Sequence, residues 1–479
     1  MDPRDSYEDP LVERYASRAM VENFSTRRRY RLWRELWIAL AEAEAELGVA
    51  IRPEQIEEMR RHAGDIDFDR VAAIESELRH DVMAHIAAFG ERCPLAKPII
   101  HLGATSCFVT DNADLVILRR GLEIVRDELS ALLAALRDFA LRHRGLPTLA
   151  YTHLQPASLT TVGKRAALWA QDFLADLEEV CERIEKLRFL GAKGATGTQA
   201  SFLRLFRGDG SKVEALDRKV AEKMGFSSVL GVAGQTYPRK VDARILQALS
   251  GIAQSAHKFS TDLRILQGFG EIEEPFEEKQ VGSSAMPYKR NPMRLERISS
   301  LAKFAICECM NPVWIHATQW FERTLDDSAA RRVSLPHAFL AADAILVLSV
   351  NVVRGLRVYP EAIGRRVAEE LPFLVAEDIL MLGVEAGGDR QDLHERLRRH
   401  AMAVAEARRT AGARNDLLAR VAADPAFAAI RGKLGETADP ARFVGRAPEQ
   451  TAAFFRDEVD PVLARIPAAS READYDVRV

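Results

Sequence analysis

Apolar residues recur in alternating steps of three and four at four separate places, a spacing that commits much of the chain to long, nearly parallel helices. From Leu115 the series runs through Leu118, Leu122, Val125, Leu129, Leu132, Leu136 and Phe139. The same steps carry Ala166, Ala170, Phe173, Leu177, Val180, Ile184 and Leu187, and then Ile245, Leu249, Ile252, Ala256, Phe259, Leu263 and Leu266. A weaker series joins Ala338, Ala341, Ile345, Leu348 and Val352. This period draws a narrow apolar seam along a helix, which is buried against a neighbour crossing at a shallow angle. One seam would suit an isolated coiled coil. Four, separated by loops holding Gly, Pro and His, predict a single bundle.

On either side the helical pattern shortens, as in RRRYRLWRELWIALAEAEAELGV and AEDILMLGVEAGG. Period-two strand signals are scarce and only 7% of residues are aromatic, so the expected fold is all-α with at most small hairpins. We expect three helical domains: residues 1–105, a central long-helix bundle over 106–360 that holds the signature loop, and 361–479. The 479 residues include 67 Lys and Arg against 70 Asp and Glu. A net charge of −3 gives no general field for nucleic acid or anionic lipid. Five cysteines are too few and too odd for a disulfide scaffold, so a reducing, cytoplasmic setting is expected. MDPRDSYEDP lacks the layout of a signal peptide, and no run of about 18 apolar residues stands out, so no membrane association is expected.

Several segments carry chemistry-bearing residues. GSSAMPYKRNP, Gly282 to Pro292, lies between an acidic stretch and a helix beginning near Met293, so it feeds a helix N-terminus. Free backbone N–H groups, Lys289 and Asn291 would there hold a carboxylate or a developing oxyanion, and a serine in that field would serve as a base. The same residues also read as a flexible turn. In TLAYTHLQPASLT, His153 precedes a helix whose start is marked by Pro156 and Ser158, a place for a general acid or for a structural histidine. His80 and His85 in RHDVMAH are five apart, on different sides of a helix, which disfavours a zinc pair. Thr105 and Ser106 precede the first long helix and suit capping or ligand contact. In QWFERTLDDSAARR, Arg323, Ser328, Arg331 and Arg332 would bind phosphate, or simply pair with Asp326 and Asp327 on a solvated face. GAKGATGTQASF follows a helix and matches no nucleotide-binding loop, Cys307 and Cys309 face apart, and Arg27, Arg28 and Arg29 read as a solvated face.

Taken together, THLQPA followed by GSSAMPYKRNP on a long-helix bundle resembles the fumarase/aspartase superfamily, whose signature loop reads GSSxMPxKxN. RYAS at Arg14 to Ser17, RHDVMAH, HLGATS, KGATGTQASF, GQTYPRK and WFERTLDDSAARR are similar, over nearly the whole chain, to the adenylosuccinate lyase family. Tyr288 matches its animal-type branch. The resemblance implies β-elimination of fumarate from two succinylated purine-pathway nucleotides, adenylosuccinate (giving AMP) and SAICAR (giving AICAR), with no cofactor or metal. It implies Ser283 as the base, His153 as the acid, Glu296 as the carboxylate orienting that histidine, and Lys289 and Asn291 as donors to the substrate carboxylate. Arg14, Tyr15, Arg323, Ser328 and Arg332 match positions holding phosphate and ribose. His80, Asp81, Thr105, Ser106, Thr152, Gln235, Met286 and Arg297 complete the implied substrate-binding set. It further implies a homotetramer with a twenty-helix core and active sites that draw loops from three subunits. A sister lyase acting on argininosuccinate, fumarate or aspartate would share the signature loop without the phosphate-site segments. A non-catalytic structural protein of this fold would have no reason to keep Ser283, His153, Lys289, Asn291 and Glu296.

Overall fold

A computed structural model describes residues 5–467 and Tyr475. Residues 1–4, 468–474 and 476–479, which belong to the N-terminal stretch and to the two outer expected domains, lie outside the described residues.

The first stretch opens with a single π-helical turn, Leu11–Tyr15, and continues through α1 (Arg18–Asn23), α2 (Thr26–Glu46), α3 (Pro53–Arg61), α4 (Phe68–Leu78) and α5 (Asp81–Arg92). Side chains satisfy the opening N–H groups of most of these helices: Ser17 accepts from Met20, Ser25 from Arg28 and Asp67 from Arg70. The central stretch holds α6 (Ser106–Arg142), strands β1 (Pro147–Thr152) and β2 (Gln155–Thr161), α7 (Val162–Lys186), α8 (Ala200–Leu205), α9 (Gly210–Lys223) and α10 (Lys240–Gly268). It continues through β3 (Ile272–Glu273), α11 (Met293–Glu308), α12 (Asn311–Ala317) and α13 (Asp327–Gly355). A short β4 (Arg357–Val358) returns to pair with β3. The last stretch comprises α14 (Pro360–Leu374), α15 (Ala376–Glu385), α16 (Arg390–Ala411), α17 (Leu417–Ala423), 3-10 turns, α18 (Ala447–Phe454) and α19 (Asp460–Leu463).

The four seams fall on α6, α7, α10 and α13, and nearly every seam residue is buried. Ile184, near the end of α7, is only partly covered. α6 packs on α7 and α13, and α10 packs on α7, α11 and α13, forming the bundle that the spacing predicts. The weakest seam belongs to the most deeply placed helix. α13 is apolar nearly all round, so its periodicity is faint because few faces need to be polar. It is long and apolar enough to cross a membrane by length and composition, although the sequence reading found no such run. Yet 83% of its most apolar window is buried inside the protein. Gly121 on α6 lets this helix approach, since a Cβ there would lie 2.7 Å from the Phe339 ring.

One expectation is overturned locally. Pro156 and Ser158 do not open a helix but lie in β2, which pairs antiparallel with β1 from Pro147↔Thr161 to Thr152↔Gln155. Pro and the β-branched threonines of QPASLTT favour extended backbone, and the helix begins only at Val162, where Thr161 accepts from Lys164 N–H at 3.1 Å.

Candidate active site

A cavity of about 590 Å³ opens where α5, α6 and α13 begin. His80, Asp81, Thr105, Ser106, Gln235, Arg323, Ser328 and Arg332, drawn from positions 252 residues apart, all line it. Helix starts create this convergence. His80 is the N-cap of α5 and accepts from Met83 N–H at 3.4 Å, while its Nε2 lies 3.4 Å from Ser106 Oγ. Thr105 stands at the N-cap of α6 without a capping side-chain hydrogen bond, which favours the ligand-contact reading of this residue. Arg332 reaches Asp81 at 3.2 Å across the rim.

The floor beneath is an ion-pair network. Arg239, 2% exposed, lies between Asp111 at 2.8 Å and Asp327 at 2.6 Å, and Arg323 meets the same Asp327 at 3.2 Å. Arg331 pairs with Asp242 at 2.7 Å and Asp114 at 2.9 Å and also donates to the Tyr237 hydroxyl. Burial alone would lower the pKa of Arg239, but Asp111 beside it holds the guanidinium above its usual range. Burial raises Asp114 from the ordinary carboxylate range despite Arg331. Arg331 is therefore a buried structural cation and not part of a solvated face.

Four further wall residues, Arg29, Glu75, Arg79 and Asp114, escaped the sequence reading. Arg29 was expected on a solvated face with Arg27 and Arg28. It instead sits one helical turn before Trp33, which also lines the cavity, and its Nε is buried without a hydrogen-bond partner. The i, i+4 relation to a core tryptophan was the available signal. Arg79 closes α4 in the left-handed region, φ 53°, a conformation that the sequence does not announce.

The signature loop forms a second group, outside the lining of that cavity. Asn291 Nδ2 donates to Gly282 O at 2.8 Å and closes the loop on itself. The closure requires glycine, because a Cβ at Gly282 would lie 2.2 Å from Lys289 O. Within it Ser283 Oγ accepts from Met286 N–H at 3.1 Å, while Met286 and Lys289 are exposed. The loop does feed a helix, α11, but the first-turn N–H groups are not free for a substrate. Buried Glu274 accepts from Arg294 N–H at 3.0 Å and Leu295 N–H at 2.9 Å. A protein carboxylate already occupies the place at the helix terminus expected for a substrate anion. Glu296 faces Arg264 at 3.9 Å and not His153 of the same chain. Next to it the Arg297 guanidinium lies 5.5 Å from the Tyr15 ring, which brings the Arg14–Tyr15 turn to this group.

Thr152 and His153 stand apart from both. They are exposed at the turn of the β1–β2 hairpin, where His153 and Leu154 have φ of 54° and 58°. Two consecutive left-handed residues make the tight turn that suits the twist of a two-residue hairpin, and project the imidazole outward. One chain thus presents three separate sets of expected residues: the cavity, the signature loop with Arg14, Tyr15 and Arg297, and the hairpin tip.

The family described as Lyase matches residues 13–306, and the adenylosuccinate lyase C-terminus matches residues 372–454. Fold and site define a lyase of the long-helix-bundle class. Its fold is shared with the crystal structure of the 3-carboxy-cis,cis-muconate lactonizing enzyme from Pseudomonas putida, at a TM-score of 0.82 and 23% identity over 94% of this chain and 98% of that one. Among curated relatives, adenylosuccinate lyase of Schistosoma mansoni is 50% identical over 97% of both chains, and that of Saccharomyces cerevisiae 49% identical over 96% of both. The chain belongs to the adenylosuccinate lyase family.

Proposed function

We propose that the protein releases fumarate from adenylosuccinate, giving AMP, and from SAICAR, giving AICAR, by β-elimination. The carrying observation is end-to-end similarity, 50% identity over 97% of the chain, to a relative named adenylosuccinate lyase. The arginine-lined cavity, large enough for a nucleotide, supports the same reading.

In the proposed reaction Ser283 takes a proton from the carbon beside the substrate carboxylate. The N–H of Met286, aimed at its Oγ, favours an oxygen carrying negative charge. Lys289 and Asn291 stabilise the carbanion, with the helix terminus excluded from that task by Glu274. The carbon–nitrogen bond then breaks, its electrons leave with nitrogen, the carbon–carbon double bond of fumarate forms, and His153 protonates the departing nitrogen. His80, Asp81, Thr105, Ser106, Gln235, Arg323, Ser328 and Arg332 hold the nucleotide, joined by Arg14, Tyr15, Thr152, Met286 and Arg297. No cofactor enters this scheme.

Three residue sets held apart in one chain support a site shared between subunits, and hence the homotetramer. Exposed Trp314, Trp320, Phe321 and Leu325 favour such association. All five cysteines are free, in keeping with a proposed cytoplasmic setting. Ultraviolet absorbance on adding adenylosuccinate, SAICAR or argininosuccinate tests the assignment. We expect fumarate from the first two only, and release from argininosuccinate alone would overturn it.

A further inference from the structure

Residues 9–17 carry Arg14 and Tyr15 on a single π-helical turn. α13 pins this strap at both ends. At the first, one oxygen of Asp9 accepts from Leu11 N–H at 2.9 Å while the other lies 2.8 Å from His337 Nε2. At the second, Asp343 accepts from both the backbone N–H of Ser17, at 2.5 Å, and its hydroxyl, at 2.6 Å.

Asp343 is fully buried in the middle of a long, largely apolar helix. A carboxylate there is costly, and a well-packed apolar residue would serve stability at least as well. Its neighbour on α6 is Glu128, also buried, with Oε2 lacking a hydrogen-bond partner. Burial first, and Asp343 second, push Glu128 well above the ordinary carboxylate range. Burial raises Asp343 as well, but Glu128 and the two Ser17 donors lower it, so Glu128 holds a proton more firmly than Asp343 does.

We infer that Asp343, supported by Glu128, is a positioning residue for the reaction: it locks the strap so that Arg14 and Tyr15 face Arg297 and the signature loop. Ser328 and Arg332, on the first turns of the same helix, line the cavity, so one rigid element carries cavity residues at its start and anchors the strap farther along. This inference rests on the proposed assignment of Arg14 and Tyr15 to the nucleotide.

The test measures kcat and KM for adenylosuccinate, with inhibition by AMP and by fumarate, in the intact protein. Ser17→Ala removes one strap hydrogen bond and should raise KM about fivefold, the scale of one such bond, with kcat within about twofold. AMP inhibition should weaken in parallel and fumarate inhibition should not. Ser17→Thr should restore the wild-type values. Asp343→Asn, which leaves the Ser17 cap on α1 intact, should act like Ser17→Ala. In an Arg14→Ala background Ser17→Ala should add nothing. A fall in kcat at constant KM is what mere loss of folded protein produces, and would overturn the inference. So would wild-type KM in Ser17→Ala beside a raised KM in Arg14→Ala, or additive effects in the double variant. Wild-type KM in Arg14→Ala would instead overturn the assignment of Arg14 to the nucleotide, and the inference with it.

Discussion

At the scale of single residues, the site pairs ordinary side chains with unusual placements. Ser283 is held by a short turn whose own N–H points at its oxygen, so its position depends on the backbone and not on the hydroxyl proton. Ser283→Ala removes that acceptor but keeps the Asn291–Gly282 closure, so it should leave the loop folded and substrate affinity nearly unchanged while abolishing turnover; activity within about twofold of wild type would remove Ser283 from the mechanism. His153 sits in left-handed backbone at a hairpin tip, a conformation that costs on the order of 1 kcal/mol and persists where the turn demands it. His153→Ala should lower kcat by about 10²-fold or more, as loss of a general acid does. A variant that lost affinity but kept its maximal rate would make His153 a binding residue. Both residues stand in motifs that are conspicuous in the sequence. Arg29 and Arg79 do not, because an arginine beside a cavity and one in solvent read alike until the opposite wall is known.

At the scale of elements, the long helices were the most legible part and the helix ends the least. A seam of seven or eight apolar residues outweighs any local ambiguity, whereas a cap is decided by one or two hydrogen bonds. The start of α11 shows this, since its dipole is answered by Glu274, about twenty residues earlier in sequence, and not by a ligand. The α2–α5 contact shows it in another way. His85 lies inside α5, its ring 3.8 Å from that of Tyr30 and 5.2 Å from that of Trp33, and burial lowers its pKa to about 4. The folded state thus keeps His85 neutral where an unfolded chain would protonate it. This contribution to stability is intact above about pH 6.5 and is lost as pH falls towards 4, a change of up to about 3 kcal/mol. The urea midpoint should fall over that interval with earlier hydrogen exchange in α2 and α5, and His85→Phe should flatten the dependence. An unchanged slope in His85→Phe would assign acid sensitivity to other groups, such as His101, whose burial also lowers its pKa to about 4.

At the scale of the whole molecule, the decisive fact is separation. The cavity residues, the signature loop and His153 occupy three places on one chain, and the proposed elimination would bring all three to one substrate. If the proposed tetramer joins them, His80→Ala and Ser283→Ala, each inactive alone, should partly restore activity when co-assembled. Some sites would then take an intact His80 segment from one chain and an intact Ser283 loop from another, and random mixing makes these a minority. Mixed assemblies that stay inactive, with subunit exchange confirmed by mass, would place both segments in one subunit's site.

The sequence by itself determined the all-α class and the four bundle helices, because apolar period is a local property of the chain. The tertiary structure alone decided that Pro156 and Ser158 belong to a hairpin, that Glu274 closes the α11 terminus, that Arg331 is buried among carboxylates, and that Asp343 holds the Arg14 strap. Each of these rests on partners distant in sequence or on a few hydrogen bonds, and the energy of such contacts exists only once the helices have packed.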